Sequence, residues 1–155
     1  PVGFKYLANV LAHKKTFIAV ESTNGASLNR NITIKDGILF NLLVAEMLAH
    51  YNLDMDRILN NFYTRFPRLV NLELNLKKTP RSETRFNQLL SQKKFDFPGF
   101  SLIKREYIDG IKFIFDNGWL LVRFSGTDRF IRLYAESPTK KGTRSLIKAG
   151  RALIE

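Results

Sequence analysis

The sequence predicts two architectures in tandem. An α/β fragment with a mixed sheet and helices occupies residues 1–76, and an α+β unit of about four antiparallel strands packed with helices occupies 99–155; a linker over 77–98, carrying a short helix, joins them. Three observations carry this reading. In the first half, short apolar runs alternate with helical patterns, as in α/β chains. In the second, two hairpin dipeptides, Asp109-Gly110 and Asn117-Gly118, stand between alternating apolar residues. Between the halves, Lys93-Lys94 and Pro98-Gly99 interrupt both patterns.

Taken in order, Phe4-Lys-Tyr-Leu7 and Phe17-Ile-Ala-Val20 are apolar patches separated by a polar, helix-like stretch from Ala8 to Lys15. The run Phe17 to Val20 has the continuous apolar character of a buried parallel strand, and it opens into the polar loop Glu21 to Ser27 at its carboxyl end, where such sheets bind ligands. Asp36 caps a helix through about His50 whose apolar positions are nearly continuous, which predicts a largely buried element. A second helix starts at Asp54, with Met55, Ile58 and Leu59 on one face. Leu69 to Leu76 alternates as a strand, and Thr79-Pro80 supplies an N-cap followed by proline in the first helical turn, with Phe86, Leu89 and Leu90 as anchors. Strands then follow over 101–108, 111–115, 119–124 and 130–136. Ser137-Pro-Thr139 opens a closing helix whose stripe of Leu146, Ile147, Gly150, Leu153 and Ile154 suits one face of that sheet.

Composition narrows the function. With 155 residues, 45% hydrophobic content and 13 Phe, the chain has ample material for a core. No apolar run approaches the roughly 20 residues of a membrane span. The absence of cysteine removes disulfides and thiolate metal sites and fits a cytoplasmic setting. The opening Pro1-Val2-Gly3, without an initiator Met, points to a piece of something longer. A net charge of +11 draws polyanions, and most of the excess lies after residue 76, where 17 basic residues face 8 acidic ones. The basic residues are scattered, as on a solvated surface, so nucleic acid is not the expected partner. The rival reading is a basic nucleic-acid-binding module with Phe113, Trp119 and Tyr134 as stacking groups; their places in alternating strands favour core packing instead. His13 and His50 stand alone, and no carboxylate cluster has metal-ligand spacing.

One stretch concentrates chemistry. Trp119 to Glu136 reads as strand, polar loop, strand, with Arg123 closing the first strand and Arg132 inside the second. Two guanidiniums can converge on a turn, Ser125-Gly126-Thr127, that offers two hydroxyls. A glycine between them permits positive φ and lets successive N–H groups aim at one anion. Such tripeptides also make ordinary turns.

The stretch Arg123-Phe-Ser-Gly-Thr-Asp-Arg-Phe-Ile-Arg-Leu-Tyr134 closely resembles the phosphate-binding signature of the α-D-phosphohexomutases, the phosphoglucomutase and phosphomannomutase superfamily, written R-P-S-G-T-E-P-x-I-R-x-Y. Arg123, Ser125, Gly126, Thr127 and Arg132 match position by position, while Phe124 and Arg129 stand where prolines are usual and Asp128 supplies the acidic residue. The rest of the chain falls into line. Val2-Gly-Phe-Lys-Tyr-Leu7 resembles the T-G-F-K-Y-I segment of the family's third domain, Lys35-Asp-Gly-Ile38 its K-D-G-I helix, and Val20-Glu-Ser-Thr-Asn24 its E-E-S-G-G sugar loop, with Val20 in place of the first glutamate.

The resemblance implies a truncated third domain followed by the C-terminal domain of such an enzyme. Arg123, Ser125, Gly126, Thr127 and Arg132 would bind the phosphate of a hexose phosphate, and Glu21, Ser22, Lys35 and Lys5 would face the sugar. The implied reaction interconverts hexose 1-phosphate and hexose 6-phosphate through a phosphoserine and a sugar bisphosphate, with Mg²⁺ neutralising the transferring phosphoryl group. The phosphoserine loop and the D-G-D-x-D-R metal motif belong to the family's first two domains, so this chain, which contains neither, is expected to bind substrate without Mg²⁺ or turnover of its own. Those N-terminal domains are then its partners in the parent polypeptide. A phosphoglucosamine mutase is a further alternative.

Overall fold

Capping residues set most of the helix boundaries in the computed structural model, which describes residues 2–13, 16–21, 25–29 and 34–155. The chain divides into two compact units, Pro1–Phe66 and Pro67–Glu155.

In the first unit, α1 (Phe4–His13) buries Leu11, and two short strands follow, β1 (Ile18–Val20) and β2 (Ala26–Leu28). They pair antiparallel, Ile18 with Leu28 and Val20 with Ala26, and the Glu21 N–H donates to the Gly25 carbonyl at 2.9 Å. The expected buried parallel strand is therefore corrected: the chain reverses at once onto its own edge, and of β1 only Ala19 is buried. Asp36 caps α2 (Gly37–Tyr51) by accepting from Leu39 N at 2.9 Å, and Asn52 ends it in the left-handed conformation at φ 49. Asp54 caps α3 (Met55–Tyr63) in the same way, accepting from Arg57 N at 2.8 Å. The expectation that the first of these helices is largely buried also fails. None of its residues is buried and Ile38 is 78% exposed, because its apolar side chains surround the whole helix and only β2 packs on it appreciably among the described residues.

In the second unit, β3 (Val70–Lys77) is followed by α4 (Pro80–Ser91), the meander β4 (Leu102–Glu106), β5 (Ile111–Phe115), β6 (Gly118–Phe124) and β7 (Phe130–Ser137), and α5 (Lys140–Ile154). The five strands form one antiparallel sheet in the order β3-β7-β6-β5-β4. The strand after the unit boundary thus crosses to the far side of the meander and pairs with β7 over eight residues, Val70 with Ser137 through Lys77 with Phe130.

This overturns the expected boundary in 77–98. The strand over 70–77 belongs to the second sheet, and α4 is held by a capping box between Thr79 and Ser82 and buries Phe86 and Leu89 in its core. The break falls between Phe66 and Pro67 instead.

One face of the sheet is covered by helices. Ile111, Phe113, Phe115, Leu120, Val122, Ile131, Leu133 and Ala135 alternate inward and meet Leu146 and Ile154 of α5 and Phe86 of α4. Phe97 rests between Phe113 and Phe115, with ring centroids 5.0 and 4.8 Å away. Thr143, fully buried on α5, has its hydroxyl 2.8 Å from the Val70 carbonyl, so it ties the closing helix to the edge strand. Gly150 lets the same helix approach closely, since a Cβ there would lie 2.9 Å from Leu120 Cδ1.

Candidate functional site

Alternation along β6 and β7 decides where the charged side chains go. Val122 and Ile131 point into the core, so Arg123 and Arg132 project from the opposite face. They are also direct cross-strand partners in the ladder, which places both side chains on that one face, side by side. Two like charges so placed repel unless anions lie between or beside them. Here each has a carboxylate: Arg123 Nε lies 3.1 Å from Asp109 Oδ1, and Arg132 Nη2 donates to Asp128 Oδ2 at 2.5 Å. Arg123 is the more enclosed, at 9% exposure. Neither Nε makes an aligned hydrogen bond, so the contact between Arg123 Nε and Asp109 is an ion pair.

The loop from Ser125 to Arg129 joins the strands and is pinned by Ser125 N–H to the Phe130 carbonyl at 2.9 Å. Inside it, the N–H groups of Thr127 and Asp128 both approach Ser125 Oγ, at 3.4 and 3.1 Å. Asp128 Oδ2 accepts from Ser125 Oγ at 3.2 Å, from Thr127 Oγ1 at 3.0 Å and from Arg132. The Thr127 and Ser125 hydroxyls, with Arg132 behind them, hold this carboxyl below the usual carboxylate range. Arg132 is correspondingly raised, first by the Tyr134 phenol and then, against the cost of its partial burial, by Asp128.

This differs from expectation in two respects. Gly126 is not among the positive-φ residues, and a Cβ at its position would meet nothing within 4 Å. The backbone N–H groups turn inward onto the Ser125 hydroxyl because Ser125 forms the local turn that a side-chain oxygen so placed favours. Arg132, Ser125 and Thr127 do come together, around one carboxylate oxygen, and Arg123 stands beside them as the cross-strand neighbour of Arg132.

In the first unit, Glu21 and Lys35 form an ion pair, and Lys35 Nζ also lies 5.8 Å from the centre of the Phe4 ring. Gly25 makes room for that pair, since a Cβ there would fall 2.6 Å from Lys35 Cδ and 2.7 Å from Glu21 Oε1. Lys5 is exposed on α1, where its ammonium lies 5.1 Å from the Tyr6 ring centre. Ser22 lies outside the described residues.

Of the three aromatics in the rival reading, Phe113 is fully buried and cannot stack on a base. Trp119 and Tyr134 are half-buried on the arginine face, and Trp119 donates from Nε1 to Glu136 Oε1 at 3.1 Å beneath the Lys112 ammonium. Among the described residues no group of three or more histidines and carboxylates is arranged to hold a metal ion, so no metal step is assigned to them. No described helix is long and apolar enough to cross a membrane.

Asp109 was not singled out from the sequence. The signal lay in the Asp109-Gly110 turn, whose position beside the first rung of the β5–β6 ladder, Ile111 with Val122, sets it next to Arg123.

Comparison with known proteins adds three results. Residues 1–66 match the family model described as phosphoglucomutase/phosphomannomutase, alpha/beta/alpha domain III, and residues 69–151 match phosphoglucomutase/phosphomannomutase, C-terminal domain. The phosphoglucosamine mutase of Methanocaldococcus jannaschii is 35% identical over 122 residues, covering 77% of this chain and 25% of that protein; the phosphoglucomutase/phosphomannomutase of Thermococcus kodakarensis is 26% identical over 99% of this chain and 32% of its own length. A structure described as a phosphoglucomutase/phosphomannomutase family protein from Burkholderia thailandensis superposes with a TM-score of 0.74 at 21% identity, over 98% of this chain and 31% of that one, which shows a shared fold. The chain thus spans about a quarter to a third of the length of these relatives.

Proposed function

Since the chain belongs to the phosphoglucomutase/phosphomannomutase family and carries its domain III and C-terminal domain, we infer that its second unit grips the phosphate of a hexose phosphate. The observation that carries this is the placement of Arg123 and Arg132 as neighbours on one sheet face, at the mouth of a loop with two hydroxyls. Guanidiniums bind phosphate oxygens through charge-assisted bonds, and a dianion satisfies two of them better than a single carboxylate does. Entry of phosphate exchanges it for the Asp128 carboxylate. The Ser125 and Thr127 hydroxyls, now donating to that carboxylate, turn to the phosphate oxygens. Gly126, open on its free side, lets the ligand approach the backbone.

In the parent enzyme the reaction is the interconversion of hexose 1-phosphate and hexose 6-phosphate by way of a phosphoserine and a bisphosphate. Mg²⁺ would act there at the transferring phosphoryl group, held by residues outside this chain. Glu21, Ser22, Lys35 and Lys5 contact the sugar, and the 155 residues alone bind substrate without converting it. A hexosamine phosphate is the second reading, favoured by the 35% identity to a phosphoglucosamine mutase.

Titration of the ¹⁵N-labelled chain with glucose 6-phosphate, mannose 6-phosphate and glucosamine 6-phosphate tests the assignment. Amide shifts concentrated in 123–132 support it; shifts spread over the basic surface, or none, refute it. Ranking the three sugars at the Glu21 and Lys35 amides separates the substrate readings. A duplex oligonucleotide whose binding falls steeply with salt would instead favour the nucleic-acid alternative.

A further inference from the structure

We propose that Asp109 is a positioning residue for phosphate, holding the Arg123 guanidinium in place while the neighbouring Asp128 yields its position to the ligand. The inference rests on the phosphate-binding reading and deepens it. The two carboxylates that serve the arginine pair are not equivalent. Asp128 is 45% exposed on a loop, whereas Asp109 is 25% exposed and pairs with the arginine whose own side chain is 10% exposed.

The turn that carries Asp109 is built onto the strand it serves. Gly110 adopts φ +85, and a Cβ on it would fall 2.2 Å from the Val122 carbonyl oxygen and 2.7 Å from Arg123 Cβ. Only glycine fits so close an approach, and the approach brings the preceding carboxylate to a fixed distance, 3.1 Å, from Arg123 Nε. An ion-pair contact on the Nε side of a guanidinium sets the orientation of its far edge, where the two terminal nitrogens form the fork that a bidentate phosphate contact uses. Arg123 also faces Arg132 across the ladder, so without a fixed counter-charge it would turn away.

Simple electrostatics gives the opposite forecast. Removing a carboxylate beside a phosphate site relieves repulsion and should tighten binding. Positioning predicts weaker binding, so the sign decides.

The experiment measures the affinity of the 155-residue chain for glucose 6-phosphate and for inorganic phosphate by calorimetry and amide titration. Asp109→Asn should raise Kd by about tenfold or more, and Asp109→Glu, which keeps the charge but alters its reach, should lose less than Asn. In an Arg123→Lys background, which has no guanidinium to orient, Asp109→Asn should change Kd by less than about twofold, a non-additivity that general loosening of the fold would not produce. Unchanged or tighter binding by Asp109→Asn, or an equal loss in both backgrounds, overturns the proposal. If Asp109→Asn does not fold, as judged by the dispersed amides of β5 and β6, Asp109→Glu decides: weaker binding supports the role and wild-type binding refutes it. Should the unaltered chain fail to bind either phosphate, the functional reading and this inference fall together; should it bind while the Asp109 variants bind equally well, only this inference falls.

Discussion

At the residue scale, the chemistry of the loop centres on Asp128. Its carboxylate accepts from both hydroxyls and from Arg132, so it competes with any phosphate for the same donors. Asp128→Asn should therefore tighten phosphate binding by about threefold or more, through loss of a charged rival acceptor; calorimetry reads this directly, and weaker binding would contradict the exchange. The same contacts set a pH response. Because the hydroxyls of Thr127 and Ser125 and the Arg132 cation lower the pKa of this carboxyl, the closed loop is favoured above the ordinary carboxylate range and that advantage is lost as pH falls through the lowered value. Amide shifts of 125–128 should titrate with a midpoint below that of an exposed aspartate. Arg123→Ala should remove most phosphate-induced shifts in 123–132, and in the complete enzyme it should severely lower substrate use. The arginines and the two hydroxyls were legible from their types and spacing. The inward rotation of the N–H groups was not, since it depends on which acceptor the Ser125 side chain presents to them.

At the element scale, local signals were read correctly and distant pairings were missed. Asp109-Gly110 and Asn117-Gly118 marked two hairpins, although the tight turn of the second is Asp116-Asn117, closed by Phe115 opposite Gly118, and the first is a five-residue loop between Glu106 and Lys112. The partner of β3 lies far downstream, with Lys77 opposite Phe130 and Val70 opposite Ser137, and nothing local names it. The helix over 80–91 was seen, but its anchoring in the second core was not, because Phe86 meets Phe124 only through the fold, at a ring distance of 4.5 Å. Gly110→Ala should cost about 1–3 kcal/mol in backbone strain alone, and more from the collision with the Val122 carbonyl, measured as a drop in denaturant midpoint. Thr143→Val keeps the shape of the buried side chain but leaves the Val70 carbonyl without its hydroxyl, at a cost of about 1–2 kcal/mol by the same assay.

At the scale of the whole molecule, the unit boundary becomes an engineering rule. A chain of residues 67–155 retains all five strands of the sheet and should unfold cooperatively and keep its phosphate response. One beginning at 99 lacks the edge strand and the helix that supplies Phe86 and Leu89, and should give a poorly dispersed spectrum and a broad transition. Fold class was accessible from the order of elements, with one edge strand assigned to the wrong unit. The exposure of α2 was not, because continuous apolar composition reports a need for cover and not what provides it.

The single tryptophan lies on the same sheet face as the arginine pair, about 13 Å along β6 from Arg123 at strand spacing. Its indole is hydrogen-bonded to Glu136 and capped by the Lys112 ammonium. The molecule therefore carries a native fluorophore close enough to register disturbance of that face and set back far enough not to block a ligand, so stopped-flow emission can follow binding without an added label.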